Sequence, residues 1–275
     1  TDTATATITS DGVNDAPAVR QAHIGVAMGN KGTDAAREAA DIVLTDDRFS
    51  TISHAIREGR RVYDNIKKSL LFLLATDLDE AALIMLAILF GISLPVTPTQ
   101  ILWVNLVTSV ALSFALIVER AEKTVMNRGP NPKSLSLITW SMLGRILFVS
   151  TLSVLATFAV FYEQLAEGVP LAQAQTAAVT MLVVVEVAVL LNHRRFVAPA
   201  LGEGSVRGNR VVLTVIGILL VLQLAFVYFP PLQRLFGSTP LPAESWAVVA
   251  AVALGVFVAI EAEKWVRRRR GPRVF

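Results

Sequence analysis

The sequence predicts a mainly α-helical polytopic membrane protein, with six transmembrane helices preceded by a partial α/β cytoplasmic segment. Three observations carry this. Six apolar segments of near-spanning length follow one another in the later part of the chain. Basic residues gather on alternate connections between them. The opening stretch is polar and alternates short β-branched runs with short helical ones. The expected division is 1–62 for the soluble segment and stalk, and 63–275 for the membrane domain.

In the soluble segment, the alternation TATIT ending at Ser10 predicts a first strand. The turn-rich DGVNDAP follows, then a helix near Ala16–Ala22 and a second strand over Ile24–Met28. Gly29-Asn30-Lys31-Gly32 reads as a turn, Thr33–Ala40 as a short helix capped by Thr33, and Asp41–Thr45 as a third strand. This strand–helix alternation implies a parallel sheet, too small for a complete doubly wound domain, so further sequence is expected ahead of it. From Phe49 a helix is expected to run unbroken, basic and amphipathic at first and then apolar, as a stalk entering a bilayer.

The six spans are expected near 68–91, 99–118, 138–161, 176–192, 211–229 and 245–265, the fourth being the shortest. Arg60, Arg61, Lys67 and Lys68 precede the first, and Arg120, Lys123, Arg128 and Lys133 lie between the second and third. Arg194, Arg195, Arg207 and Arg210 lie between the fourth and fifth, and Arg267–Arg270 and Arg273 follow the sixth. Only Arg234 breaks the alternation. Both ends and the soluble head are therefore expected in the cytoplasm, with the chain integral to the plasma (inner) membrane. Arg145 is expected to snorkel to the cytoplasmic interface, and Glu261 and Glu263, beside Lys264, to be structural.

Composition narrows the chemistry. The hydrophobic fraction is 53% and the mean hydropathy is +0.57, against about 45–50% apolar usage in soluble domains. The absence of cysteine excludes disulfides, thiolate catalysis and Cys-based zinc sites. The histidines, His23, His54 and His193, are scattered, which argues against a His-rich metal site. The first residues lack a basic region followed by an apolar core, so no signal peptide is expected, and the missing initiator Met suggests part of a longer polypeptide. No nucleic-acid partner is expected; the lipid bilayer is.

Acids inside the apolar spans point to function. Asp77, Asp79 and Glu80 lie in the first span. Each charge at a helix centre costs about 2.5–3.5 kcal/mol, so three together cost roughly 8–10 unless they face a cavity, hold cations or are protonated. Asp77 and Glu80, three apart, share a helical face, while Asp79 points away from Asp77 and only partly towards Glu80. In the second span Asn105, Thr108 and Ser109 recur at i, i+3 and i+4, and Glu186 stands alone among apolar residues in the fourth. Carboxylates, an amide oxygen and hydroxyls are hard donors, suited to Ca²⁺, Mg²⁺, Na⁺ or protons. The alternative for such polar groups is to join helices by hydrogen bonds. That reading fits Thr76, Thr108 and Ser109 taken singly, and stays open for Glu186.

These features together resemble a P-type cation-transporting ATPase of the calcium-pump-like branch. The resemblance is carried by the ordered series Asp11-Gly12-Val13-Asn14-Asp15-Ala16-Pro17-Ala18, Ile24-Gly25-Val26-Ala27-Met28-Gly29, Asp46-Asp47-Arg48-Phe49-Ser50-Thr51-Ile52, Glu58-Gly59-Arg60 and Gln100–Thr108 (QILWVNLVT). It is close over about residues 1–135; beyond them it rests on topology, Glu186 and the Glu261…Lys264-Trp265 end of the last span. It implies that the opening segment ends a phosphorylation domain of haloacid-dehalogenase type, and that the six spans are the family's fifth to tenth helices. Asp11 would bind the Mg²⁺ that accompanies the phosphoryl group, with Gly12, Asn14 and Asp15 organising phosphate and loop. The transported cation, best read as Ca²⁺, would be held by Asp77, Glu80, Asn105, Thr108 and Glu186, with Asp79 and Ser109 as further candidates.

Four departures stand out: Ser10 where the family has Gly, Ser109 where the calcium branch has Asp, and Asp77 and Asp79 where Asn and Gly are usual. The family's D-K-T-G-T phosphorylation motif, nucleotide-binding domain, T-G-E segment and first four helices are absent from these 275 residues, so ATP would act through an N-terminal portion. Two other readings stay open. One is a stand-alone membrane protein with a cation site and no catalysis. The other, a membrane-tethered phosphatase, lacks the nucleophilic Asp of a D-x-D-x-T context.

Overall fold

The computed structural model describes residues 7–122, 125–127, 129, 138–194 and 210–269. Lys123, Arg128, Lys133, Arg195, Arg207, Arg270 and Arg273, used above for orientation, lie outside the described residues, as does the start of the first expected strand. The chain divides into two compact units, Thr1–Arg61 and Val62–Phe275.

The first unit holds three parallel strands in the order β1 (Thr7–Ser10), β2 (Ile24–Met28) and β3 (Ile42–Leu44). Helix α1 (Ala16–Gln21) joins β1 to β2, and α2 (Asp34–Ala39) joins β2 to β3. Pro17 sits in the first turn of α1, where a missing N–H costs nothing. The Thr33 hydroxyl caps α2 by accepting from Ala36 N at 3.3 Å. Two glycines are fixed by close approach. A Cβ on Gly25 would lie 2.5 Å from the Val19 carbonyl oxygen, and one on Gly32 would lie 2.0 Å from that of Met28. Val26, Met28 and Leu44 form a small core closed by Ile52.

Helix α3 (Phe49–Leu89) is a single helix of 41 residues, as the uninterrupted pattern implied. Its start is tied down by Asp46, whose carboxylate accepts from Arg48 N (3.1 Å) and from the Thr51 hydroxyl (2.6 Å).

In the second unit, five helices are long and apolar enough to cross a membrane: Pro98–Ile117, Trp140–Ala166 (α6), Leu171–His193 (α7), Arg210–Tyr228 (α8) and Ala243–Arg267 within α10 (Ala243–Arg269). The remaining expected span, the apolar half of α3, carries Asp77, Asp79 and Glu80, and those acids set it apart from the five by composition. Pro98–Ile117 consists of α4 (Pro98–Val104), one π-helical turn at Asn105–Ser109, and α5 (Val110–Ile117). A short α9 (Pro230–Phe236), which the apolar pattern did not single out, precedes α10. Its Phe236 edges against Trp103, which stacks on Phe226 at 5.2 Å.

Helix α7 is the axis of this unit: 78% of its apolar window is buried, against 28% for α8 and α10. The apolar pattern predicts a fourth span over about 176–192, yet the helix starts at Leu171. Gln175 is accommodated by donating to the Leu94 carbonyl at 2.9 Å.

Most buried polar groups here are paired. Asn65 donates to the carbonyls of Ile117 (2.9 Å) and Glu119 (2.7 Å), satisfying the end of α5. Arg194 grips Glu119 with two bonds of 2.9 and 3.2 Å, and Lys68 meets Glu122 at 3.0 Å. Lys264 donates to the Asn192 carbonyl at 3.0 Å. Arg145 departs from the snorkelling expectation: it is 1% exposed, and the charges around it are Glu263, Arg267 and Glu261 on α10, with none of its side-chain nitrogens hydrogen-bonded. Packing against a charged helix end replaces the route to water that its long stem would otherwise take.

The Thr51 hydroxyl, aided by the Arg48 N–H, holds the Asp46 carboxyl below its ordinary value. A depressed folded value stabilises the cap above the unfolded value, and that gain is lost as pH falls through the folded one. Asp46→Asn should therefore speed amide hydrogen exchange in the first turn of α3 at neutral pH. The difference from wild type should vanish on acidification through the carboxylate range; an undiminished difference contradicts the cap.

Candidate functional site

Two candidate sites lie in the two units, and each is built differently. In the first unit all strands are parallel, so the segments after β1, β2 and β3 emerge at the same, carboxyl edge of the sheet, where open α/β sheets bind ligands. Asp11 follows β1 directly and is exposed; its carbonyl accepts from Thr33 N at 3.1 Å, joining the first loop to the second. Val13–Asp15 forms a 3-10 turn, closed by Asp15 N on the Gly12 carbonyl at 3.3 Å, with Asn14 and Asp15 exposed. A Cβ on Gly12 would lie 3.1 Å from Asp15 Oδ2, so a small residue lets that carboxylate fold back over the loop. The third loop braces the second: both Asp47 oxygens accept, from Asn30 N (2.9 Å) and Lys31 N (3.0 Å), with Asp47 held at φ 51°.

Asp11 and Asp15 thus place two exposed carboxylates on one tight loop. This fits Mg²⁺, which takes one or two carboxylates and completes its octahedron with water and phosphate oxygens. Among the described residues, no three His, Cys, Asp or Glu side chains gather closely enough to hold a metal ion by themselves.

In the second unit, α3 buries Phe72, Ala75, Thr76, Asp79, Glu80, Leu83 and Ala87, a single helical stripe. Asp79 is 2% and Glu80 6% exposed, whereas Asp77 lies off the stripe and is exposed. The inward acids are therefore Asp79 and Glu80, not the i, i+3 pair of Asp77 and Glu80. Asn105 donates its amide to Glu80 Oε2 at 2.7 Å from the π-helical turn, a local irregularity frequent at functional sites. Thr108 is fully buried and faces Glu186, but its hydroxyl donates to the Val104 carbonyl. Both oxygens of the fully buried Glu186 are therefore left without a hydrogen bond, as are Asp79 Oδ1, Glu80 Oε1 and the Ser109 hydroxyl. Glu186 feels Asp79 as its strongest charged neighbour, then Glu80, then Asp77.

The structure thus brings Asp79, Glu80, Asn105, Thr108 and Glu186 into one buried region, with Ser109 buried on the same π-helical turn and Asp77 outside. An unpaired buried polar atom costs about 1–3 kcal/mol, and more when charged. Several carboxylate acceptors left open in one buried region of apolar helices make this region the candidate cation site.

One residue was missed from sequence. Ser153 on α6 is fully buried and faces Asp79. The available signal was the stripe Ser150, Ser153 and Thr157, three and four apart on one helix face.

Comparison with known proteins agrees with this architecture. A family model described as "Cation transporting ATPase, C-terminus" matches residues 93–266. The probable cation-transporting ATPase F of Mycobacterium tuberculosis is 40% identical over 263 residues, covering 96% of this chain and 29% of the relative. The calcium-transporting ATPase of Bacillus subtilis is 39% identical over 255 residues (90% and 28%), and calcium-transporting ATPase 1 of Schizosaccharomyces pombe 35% over 264 residues (96% and 29%). The chain thus spans under a third of the length of these relatives. It belongs to the P-type cation-transporting ATPase family, of which it carries the C-terminal part.

Proposed function

We propose that this chain is the C-terminal portion of an ATP-driven cation pump, in which aspartyl-phosphate chemistry in the cytoplasmic head drives transport of Ca²⁺ across the membrane. The observation that carries the reading is the set of buried carboxylate oxygens on Asp79, Glu80 and Glu186 that no protein group satisfies. Hard oxygen donors in a low-dielectric setting select a hard cation, and Ca²⁺ accepts six to eight such ligands in flexible geometry. That two of the relatives above are described as calcium-transporting supports the choice of ion. Glu80, Asn105, Thr108 and Glu186 supply the ligands, with Asp79 and Ser109. Asp77 faces outward and would contribute only where further helices cover that side of α3.

In the head, Asp11 would hold Mg²⁺, and Asn14, Asp15 and the Gly12 backbone would organise the phosphate and the loop. When bound, the metal neutralises charge on the transferring phosphoryl group. ATP and the phosphorylated aspartate belong to an N-terminal portion. The single helix α3 carries the head's state toward Asp79 and Glu80, and the basic flanks support a head and both ends in the cytoplasm of a protein in the plasma (inner) membrane.

Supplying the N-terminal portion should yield a Ca²⁺-dependent, acid-stable phosphoenzyme. Val62→Pro, which breaks α3, should preserve ATP turnover while abolishing transport. Absence of phosphoenzyme, or full transport by the Val62→Pro protein, refutes the pump reading. A second outcome concerns stability. Ca²⁺ at a hundredfold excess over Kd should stabilise the wild type by about 2.7 kcal/mol. Glu186→Gln should lose most of that gain; an equal thermal shift in both proteins removes Glu186 from the site.

A further inference from the structure

Buried hydroxyls in these helices ordinarily turn back on the preceding turn. Thr76 donates to the Phe72 carbonyl (3.2 Å), Thr157 to Ser153 (2.9 Å), Thr176 to Ala172 (2.7 Å) and Thr180 to Thr176 (2.7 Å). Ser153 does not: its hydroxyl is fully buried, makes no bond back to its own helix, and lies against the Asp79 carboxylate outside good hydrogen-bond geometry. Asp79 in turn keeps Oδ1 open and is the charge that Glu186, whose two oxygens are both open, feels most strongly. A buried hydroxyl and a buried carboxylate thus lie face to face, poorly aligned for a hydrogen bond, beside a second carboxylate with both oxygens open.

We propose that Ser153, Asp79 and Glu186 form a cation subsite joining α6, α3 and α7, with the Ser153 hydroxyl oxygen as a direct ligand. Two carboxylates balance the charge of a divalent ion, and the serine adds a neutral oxygen with no cost in like-charge repulsion. The flexible, oxygen-rich coordination that results suits Ca²⁺ better than Mg²⁺, which demands a near-ideal octahedron. The inference rests on the reading of the membrane acids as a cation site and extends it to a helix, α6, to which that reading assigned no ligand.

The test is equilibrium binding of radiolabelled Ca²⁺ to the native polypeptide carrying this chain, reconstituted in lipid nanodiscs. Ser153→Ala should weaken Ca²⁺ binding about tenfold, the loss of one oxygen ligand to a charged centre. Asp79→Asn should weaken it at least as much. Ser150→Ala, a buried serine on the same helix, should leave it unchanged. If Glu186→Gln and Glu80→Gln weaken binding while Ser153→Ala and Asp79→Asn do not, the subsite is wrong and the wider site stands. If Ser150→Ala matches Ser153→Ala, the effect is packing and the ligand role is overturned. Failure of the wild type to bind Ca²⁺ overturns both readings.

Discussion

Everything in the membrane unit turns on the cost of leaving carboxylates without partners in an apolar interior. Several buried ions of this unit are matched, Arg194 with Glu119, Lys68 with Glu122 and Lys264 with Asn192 and Glu261, whereas Arg145, Asp79 and Glu186 keep side-chain atoms without a hydrogen bond. Such pairing shows what this architecture does with charge when structure is the purpose. Among the described residues, the buried acids Asp79, Glu80 and Glu186 receive a well-aligned protein donor at Glu80, from the Asn105 amide. An arrangement destabilising by itself persists where binding repays it, and a cation held by these oxygens would do so through linkage.

The head obeys a related logic on a smaller scale. Its three loops at the carboxyl edge of the sheet are braced by backbone bonds, from Thr33 N to the Asp11 carbonyl and from Asn30 N and Lys31 N to Asp47. The exposed Asp11, Asn14 and Asp15 are thus carried on a tied framework. Glycine at positions 25 and 32 lets that framework pack closely enough to form.

Much of this was readable in the residues. Strand β2 falls on Ile24–Met28 as the alternation indicated, Thr33 caps its helix, and α3 begins at Phe49. What could not be read was which way the membrane helices face. In water an apolar stripe identifies the buried side, but lipid tails are as apolar as a protein core, so periodicity loses its meaning. Leu74, Leu78 and Met85 on the outer face of α3 look no different from Phe72, Ala75 and Leu83 on the inner one. Spacing therefore grouped Asp77 with Glu80, while packing grouped Asp79 with Glu80. The same ambiguity hid Ser153, and Arg145 found its place through the charges of α10, which no local pattern announces.

The most direct measurement is an anomalous-diffraction map of the native polypeptide with Mn²⁺ in place of the proposed cation. The account predicts a peak within coordination distance of Asp79, Glu80 and Glu186, ringed by oxygens and bordered by Ser153. A loaded, transport-competent protein with no peak there, its acids instead bonded to one another or to protein donors, would contradict it.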